Sequence, residues 1–335
     1  MAEYKGIKGF KVQYLSADPS NPIIGQTWYN STSKDLKYTG VTTVGSWASG
    51  GDLNTARFAM GGAGTQTSAL AFGGEAPPPT DATEEYDGST WTSNPTGLNT
   101  ARTYLGGCGT QTAALAFGGE IPGSPAITTA TEEYDGSTWT SNPTGLNTAR
   151  RFVSAAGTQT AGLGFGGLTP PITGATEEYN GSTWTSNPTG LNTARYALAG
   201  CGTQTAGLAF GGNPGTGGTG ATEEYDGSTW TTSPGSLNTS RQYLSGAGIQ
   251  TAAVAFGGYV GVPTPTVATE EYDGNSWTSV ANMATVRQLS GNAGTQLAAL
   301  AFGGESPAGS PTGKTAATEE WTGPGAALTK TVTVS

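Results

Sequence analysis

One pattern recurs six times between residues 50 and 321, and this repeat constrains the fold more than any other feature. Each copy opens on a phrase that ends in arginine, continues with GTQTxxLAFGG and closes with ATEEYDGSTW or a variant of it. The arginines recur every 45 to 48 residues, at Arg57, Arg102, Arg150, Arg195, Arg241 and Arg287. A repeat of this length fits four short strands per unit, the content of one propeller blade.

The strands can be predicted within a single unit. Residues 67–74, TSALAFGG, alternate in the manner of a strand, and the Gly pair ends it. Asp87-Gly88 predicts a two-residue hairpin turn, which places Tyr86 opposite Ser89 and makes Tyr86 and Trp91 diagonal neighbours. The first strand of each unit is built from Gly, Ala and Ser, so we expect it to be the innermost strand, where strands crowd around an axis.

The Gly-Gly strand end, the Tyr-Asp and Trp of the following hairpin, and the repeat length resemble Kelch repeats over residues 47–321. This resemblance implies an all-β fold: a six-bladed Kelch-like β-propeller of four-stranded antiparallel blades. The sixth copy lacks its last strand, and the segment around Trp47 is an outer strand without inner strands. We expect the Trp47 strand to complete the sixth blade; the alternating C-terminal segment ALTKTVTVS is the competing candidate.

Residues 1–40 differ from the repeats and carry five of the seven lysines. The segment GQTWYNSTSKDLKY resembles short β-hairpin segments of bacteriophage tail fibres and other virion appendages. The resemblance implies that residues 1–40 attach the chain to other virion proteins and that residues 41–335 form the propeller. Trp28 and Tyr29 are the expected docking anchors, because aromatic side chains dominate interface hot spots.

Composition excludes several functions. The chain has no histidine, which removes Ser-His-Asp catalysis and His-ligated zinc or copper. Its net charge is −10, and an acidic chain is poorly suited to binding the phosphates of nucleic acid. No run approaches 18 apolar residues, so we expect no membrane insertion. We expect no cofactor and no metal.

Acidic residues recur with the repeat rather than forming one site. Neighbours in a strand point to opposite faces, so a Glu-Glu pair such as Glu84-Glu85 cannot flank one substrate bond. We expect one Glu of each pair to meet a repeated Arg between blades and the other to be solvated; cation binding by a ring of acids is the alternative. YDGSTW misses the sialidase Asp-box by one residue, and each Asp-Gly turn offers one carboxylate for calcium. We therefore expect no catalytic residues.

The chain has two cysteines, Cys108 and Cys201. We expect them to be small buried residues rather than a disulfide.

One set of loops varies from copy to copy. The segments after each Gly pair run 7 to 12 residues and differ in every copy, while the flanking strands are nearly identical. Variable loops on a rigid repeat are typical binding surfaces, although neutral drift in permissive loops gives the same pattern. The candidate binding residues on these loops are Pro78, Ile127, Leu168, Asn213, Tyr259 and Pro307.

These expectations combine into a phage virion structural protein, a tail fibre or a capsid or tail appendage, that displays a propeller for host-surface adsorption. The partners would be other virion proteins and a host surface glycan or protein. Two alternatives remain at this point. One is a cellular Kelch-type adaptor for protein interactions, and the other is a glycan-active enzyme built on a propeller.

Overall fold

The structure is a computed structural model and describes residues 12–20, 25–41, 44–123, 126–261, 264–306, 313–325 and 327–331. The regular elements of these residues are β-strands, which confirms the all-β fold class. The chain divides into two compact units, one formed by Met1–Gly45 with Thr322–Ser335 and the other by Ser46–Trp321.

The strands follow one another in a regular order. The first four are β1 Gln13–Leu15, β2 Thr27–Asn30, β3 Asp35–Val41 and β4 Ser46–Ser49. The first three repeats contain β5 Gly61–Thr65, β6 Ser68–Phe72, β7 Thr83–Tyr86, β8 Trp91–Asn94, β9 Gly106–Thr110, β10 Ala113–Phe117, β11 Glu120–Ile121, β12 Ala126–Ile127, β13 Thr131–Tyr134, β14 Trp139–Asn142, β15 Ser154–Thr158, β16 Ala161–Phe165, β17 Thr176–Tyr179 and β18 Trp184–Asn187. The rest of the chain contains β19 Ala199–Thr203, β20 Ala206–Phe210, β21 Thr222–Tyr225, β22 Trp230–Thr232, β23 Ser245–Ile249, β24 Ala252–Phe256, β25 Tyr259–Gly261, β26 Thr264–Pro265, β27 Thr269–Tyr272, β28 Trp277–Ser279, β29 Gly291–Gly294, β30 Ala298–Phe302, β31 Thr318–Thr322 and β32 Ala327–Thr331.

Each of the first five repeats forms one four-stranded sheet, and the sixth repeat forms one together with β4. The sheets have the orders β5-β6-β7-β8, β9-β10-β13-β14, β15-β16-β17-β18, β19-β20-β21-β22, β23-β24-β27-β28 and β29-β30-β31-β4. Neighbouring strands run antiparallel, as in the pairing of Phe72 with Gly61 and with Thr83. The loops from second to third strand therefore share one end of the sheet with the connections between repeats, and the two tight turns lie at the opposite end.

The sheets pack against one another through apolar side chains. The buried clusters combine residues of consecutive sheets, as where Phe72 of the first sheet contacts Trp139 of the second with ring centroids 4.8 Å apart. One cluster joins the first sheet to the sixth, with Trp91 and Phe302 also 4.8 Å apart. Burying side chains of this size stabilises the fold by roughly 1.5–3 kcal/mol each.

The predicted crowding at the first strands is confirmed. β5 contacts both β9 and β29, the first strands of the second and sixth sheets. A Cβ on Gly62 would lie 2.4 Å from the carbonyl oxygen of Asn292. Only a residue without a side chain fits at such a distance, which explains the small residues of these strands.

The predicted register of the Asp-Gly hairpins is wrong. Tyr86 pairs directly with Trp91, their ring centroids 5.0 Å apart, and Glu84 pairs with Ser93. The connection has four residues because the carboxylate of Asp87 accepts hydrogen bonds from the backbone N–H groups of Ser89 and Thr90. This side-chain turn outcompetes the two-residue turn that the Asp-Gly pair predicts.

The Trp47 strand completes the sixth sheet, as predicted, because β4 pairs with β31. Trp47 lies 5.1 Å from Phe256 and 5.4 Å from Trp321 between ring centroids. The competing C-terminal strand β32 pairs instead with β3, with Val41 opposite Ala327. From the sequence, we expect the C-terminal strand to belong to the propeller, residues 41–335. In the structure, β32 belongs to the same compact unit as the N-terminal strands.

The N-terminal unit contains the predicted hairpin. β2 and β3 run antiparallel, with Asn30 opposite Asp35 at the turn. β1 joins β2 in parallel, and the sheet has the order β1-β2-β3-β32. The Asp18 carboxylate accepts hydrogen bonds from Trp28 and Asn30 and pairs with Lys37 at 2.6 Å. No helix among the described residues is long and apolar enough to cross a membrane.

Candidate functional site

Buried Arg–Glu pairs form the frame that the repeats share. In the second repeat, Arg102 Nη2 lies 2.9 Å from Glu132 Oε1, and the two side chains are 0 and 1% exposed. Burial lowers the pKa of Arg102 to about 10, although Glu132 opposes this shift. The predicted Arg–Glu pairing is confirmed, but each pair lies within one repeat and not between two. The equivalent pairs are Arg57–Glu84, Arg150–Glu177, Arg195–Glu223, Arg241–Glu270 and Arg287–Glu319.

The second glutamate of the pair links neighbouring repeats. Tyr134 of the second repeat donates its hydroxyl hydrogen bond to Glu85 of the first, and Asn94 also donates to Glu85. The expectation that this carboxylate is solvated is therefore wrong. Burial, with Glu85 adjacent, raises the pKa of Tyr134 above its usual range. At Glu84 and Glu85, both acids of the pair thus have structural partners.

Side chains that vary between repeats gather at the opposite end from the Asp-Gly turns. We call this the loop end: the six variable loops together with the two residues that follow each framework arginine. There the residue after the arginine pairs through its backbone with the residue after the Gly pair. The pairs are Phe58–Glu75, Thr103–Glu120, Arg151–Leu168, Tyr196–Asn213, Gln242–Tyr259 and Gln288–Glu305.

The second residue after each arginine has a left-handed backbone. Six non-glycine residues adopt φ between 53° and 57°: Ala59, Tyr104, Phe152, Ala197, Tyr243 and Leu289. Backbone hydrogen bonds join most of them in sequence, as where Tyr104 N donates to Ala59 O at 2.9 Å. Ala59 N donates to Leu289 O at 2.8 Å, which joins the first repeat to the last. These residues line a cavity of about 130 Å³ between the six first strands.

Four aromatic rings from consecutive repeats meet beside this cavity. The ring centroid of Phe152 lies 4.1 Å from that of Tyr104, 5.6 Å from that of Tyr196 and 5.7 Å from that of Tyr243. The guanidinium of Arg151 lies 5.5 Å from the Phe152 ring centroid, within cation–π distance. The four rings are half-buried, so each keeps part of its surface open.

Charged side chains surround Tyr104. Arg151 forms an ion pair with Glu120, and both are partly exposed. Burial raises the pKa of Glu75, an effect that Lys314 opposes and Glu120 strengthens. Burial is the main cause that raises the pKa of Tyr104, and the carboxylates of Glu120, Glu75 and Glu305 raise it further. The loop end thus combines aromatic faces with hydrogen-bonding carboxylates and a guanidinium, which suits binding of a polar ligand that has an apolar face.

The candidate loop residues have different surroundings. Pro78 is exposed and lines a cleft of about 490 Å³ with Tyr104 and Arg151. Leu168 and Tyr259 are half-buried, as is Ile127, which pairs with Glu120. Asn213 is buried and donates to Gln242 and to the Tyr196 hydroxyl. Pro307 lies outside the described residues.

Sequence reasoning missed Glu75, Tyr104, Glu120, Arg151, Phe152 and Tyr243 as members of a site. A signal for some of them was present. The residues after the repeated arginine read FAM, TYL, RFV, YAL, QYL and QLS, and they vary as much as the loops do.

The proposed docking residues differ in exposure. Trp28 is fully buried, with its Nε1 bonded to Asp18, so it offers no free surface. Tyr29 is half-buried and stacks on Tyr14 with ring centroids 5.2 Å apart. Tyr14 itself is 76% exposed, the most accessible large hydrophobic side chain among the described residues.

The two cysteines are free and buried, which agrees with the expected role as small packing residues. Burial raises the pKa of each thiol to about 12. Within the described residues, no group of three or more Cys, Asp or Glu side chains could hold a metal ion.

Comparison with known protein families finds no match for this chain, and comparison with curated proteins finds none either.

Proposed function

We propose that the chain is a six-bladed Kelch-like β-propeller that a bacteriophage virion displays for adsorption to its host. One observation carries the recognition part of this proposal. The buried Arg–Glu pairs recur in all six repeats, whereas the side chains that differ between repeats gather at the loop end. A rigid scaffold with variation at one end is the arrangement of a binding protein.

Contacts between the first and sixth repeats support closure into a ring. Trp91 donates to Thr318, Tyr86 donates to Glu320, and Ala59 N donates to Leu289 O. Each contact has counterparts between consecutive repeats. A closed ring buries a face of the first sheet against the sixth, as between consecutive sheets, and holds the loop end rigid.

The site is better suited to binding than to catalysis. In five of the six Glu-Glu pairs the first acid is engaged by Arg and the second by Tyr, as at Glu84 and Glu85. In the fifth repeat the buried Oε1 of Glu271 has no hydrogen-bond partner among the described residues. The loop-end carboxylates Glu75, Glu120 and Glu305 occupy the same position in three of the six repeats. The partner of Glu120 is the cation Arg151. We propose that the chain is not an enzyme.

The N-terminal unit is the proposed attachment to other virion proteins. Its hairpin carries the resemblance to tail-fibre segments, and its exposed Tyr14 stacks on Tyr29. Because Trp28 is fully buried, Tyr14 and Tyr29 are the docking anchors that this proposal now favours.

Particles that carry a loop-exchanged chain test the proposal. All six variable loops are replaced by the seven-residue loop LTPPITG, and the rate of adsorption to host cells is compared with that of unmodified particles. The matched control is Asp135→Asn at the opposite end, where Asn180 already occupies the equivalent turn. We expect the loop exchange to slow adsorption at least tenfold and the control to leave it unchanged.

Immunogold imaging of purified particles provides the second arm. A tagged chain on the outer surface of the particle supports the virion assignment. A chain that is found in cells and never on particles contradicts it and favours a cellular adaptor. Unchanged adsorption by loop-exchanged particles that carry folded protein contradicts recognition by the loop end.

A further inference from the structure

Three aromatic residues at the loop end adopt a backbone conformation that bulky side chains disfavour. Tyr104, Phe152 and Tyr243 have φ of 55°, 54° and 57°. For large residues this region is a conformational outlier, and such outliers cluster at binding sites. The frame does not require an aromatic ring here, because Ala59 and Ala197 occupy the same position in two other repeats.

Tyr104 connects this aromatic group to an open cleft. It lines the cavity between the first strands and also the neighbouring cleft of about 490 Å³. That cleft is further lined by Glu75, Glu120, Arg151 and the loop residues Pro79 and Ile121. Its volume lies in the range of roughly 300–1,000 Å³ that is typical of small-molecule sites.

The lining combines two kinds of chemistry. The face of Tyr104 carries negative π density, which suits the weakly positive C–H groups of a sugar ring. The carboxylates of Glu75 and Glu120 accept hydrogen bonds from hydroxyl groups, and the guanidinium of Arg151 donates them. A saccharide presents both an apolar C–H face and a rim of hydroxyls, so it uses all of these groups at once.

The charge around the cleft selects among saccharides. Glu75, Glu120 and Glu305 all act on the Tyr104 phenol, and Arg151 is the opposing cation. Arg151 is itself neutralised by its ion pair with Glu120. Lys314 opposes Glu75 in the same way. Three carboxylates thus face two cations, and this excess of negative charge disfavours an anionic sugar.

We propose that the cleft beside Tyr104 binds a neutral saccharide, with the sugar ring packed on Tyr104 and its hydroxyls bonded to Glu75, Glu120 and Arg151. This inference rests on the proposed function, since it names the ligand class of the loop end.

The test uses the full chain and a defined panel of sugars. The four neutral probes are N-acetylglucosamine and the methyl glycosides of glucose, galactose and mannose. The anionic probe is N-acetylneuraminic acid. Saturation-transfer NMR detects contact between aromatic protons and sugar C–H groups, and calorimetry measures affinity. We expect at least one neutral probe to bind and the anionic probe to bind at least tenfold more weakly.

Variants assign the binding to the cleft. Tyr104→Ala should weaken binding at least tenfold, whereas Tyr104→Phe, which keeps the ring face, should change it less than threefold. Tyr14→Ala removes an exposed tyrosine of the N-terminal unit and should have no effect. Tyr104→Gly keeps the left-handed backbone without strain, so a folded Gly variant that fails to bind excludes unfolding as the cause.

Two results would overturn the inference: none of the neutral probes gives saturation transfer, or Tyr104→Ala binds as tightly as the unmodified chain. If either result is obtained but loop-exchanged particles still adsorb slowly, the saccharide inference is wrong and the proposed function stands. If the chain binds a neutral saccharide but is absent from particles, the saccharide inference stands and the proposed virion function is wrong.

Discussion

Trp91 Nε1 donates a hydrogen bond of 2.9 Å to Thr318 Oγ1, although the two residues lie 227 positions apart in the chain. The same bond joins each later sheet to the sheet before it: Trp139–Thr83, Trp184–Thr131, Trp230–Thr176, Trp277–Thr222 and Trp47–Thr269. Each indole therefore buries its ring between two sheets while its N–H keeps a partner. This contact fixes the position of one sheet on the next.

Thr318→Val should destabilise the chain by about 1–3 kcal/mol, because the buried N–H of Trp91 loses its acceptor while the side-chain volume hardly changes. Urea unfolding measures the change in free energy. Thr92→Val, at an exposed position of β8, is the matched control and should lie within about 0.5 kcal/mol of the unmodified chain. Equal effects of the two variants would mean that the bond contributes nothing.

Arg150 and Arg151 are adjacent in the chain but differ in environment. Arg150 is fully buried against Glu177, whereas Arg151 and its partner Glu120 are partly exposed. Arg150→Ala should cost about 3–5 kcal/mol, since it leaves a buried carboxylate unpaired. Arg151→Ala should cost about 1 kcal/mol or less, because solvent screens the pair. Chemical denaturation of both variants checks the order, and a larger loss for Arg151→Ala would contradict it.

Tyr104 should tolerate glycine better than alanine. Both variants lose the contact with Phe152, but only glycine adopts φ of 55° without strain. We expect the Gly variant to be more stable than the Ala variant by about 1 kcal/mol. Tyr259, which lies in strand β25, is the control position, and there the Gly variant should be the less stable by about 0.5–1 kcal/mol. Thermal unfolding of the four variants tests this reversal of sign.

Asp135 should lose its turn in acid. Hydrogen bonds from the backbone of Thr138 and from Ser137 lower the pKa of its carboxyl to about 2, below the usual value near 3.9. A lowered pKa in the folded state means that the stabilisation is complete above pH 4 and is lost as the pH falls towards 2. NMR titration of the carboxyl measures this pKa directly.

Asparagine removes the titration without removing the turn. Asn180 makes the same bonds to Ser182 and Thr183 in the third repeat. The unfolding free energy of Asp135→Asn should therefore depend less on pH between 2 and 4 than that of the unmodified chain. An identical slope would show that Asp135 does not contribute.

Trp47→Ala should destabilise the chain by about 3 kcal/mol, because β4 then loses its packing on Phe256 and Trp321 and the bond to Thr269. Ser49→Ala in the same strand is exposed and should be nearly neutral. Differential scanning calorimetry compares the two. A neutral Trp47→Ala would mean that the sixth sheet does not depend on its fourth strand.

The repeat alone was enough to predict the strands, the small residues of the first strand in each repeat and the completion of the sixth sheet by Trp47. These features depend on local patterns: alternation along a strand, Gly at crowded positions, and a sixth repeat that lacks its last strand while an outer strand without inner strands precedes the first. The pairing of each Arg with one Glu was also predictable, since a buried charge requires a partner. Such patterns recur six times, so local ambiguity in one copy is resolved by the others.

Other features depended on contacts between residues that are distant in the chain. The role of Glu85 depends on Tyr134, which reaches it from the next sheet. The C-terminal strand could pair with either unit, because its alternation does not identify its partner, and its backbone pairs with β3. The four-residue turn at Asp87 depends on a side-chain bond that competes with an equally good turn signal.

The aromatic group at the loop end was beyond sequence reasoning. Tyr104, Phe152 and Tyr243 lie 48 and 91 residues apart, and nothing in their local sequence indicates that they meet. They converge because the left-handed residue of most repeats is hydrogen-bonded through its backbone to that of a neighbouring repeat, and all six of these residues line the shared cavity. Packing of the sheets around that cavity, rather than any local preference, placed these rings beside Arg151 and Glu120.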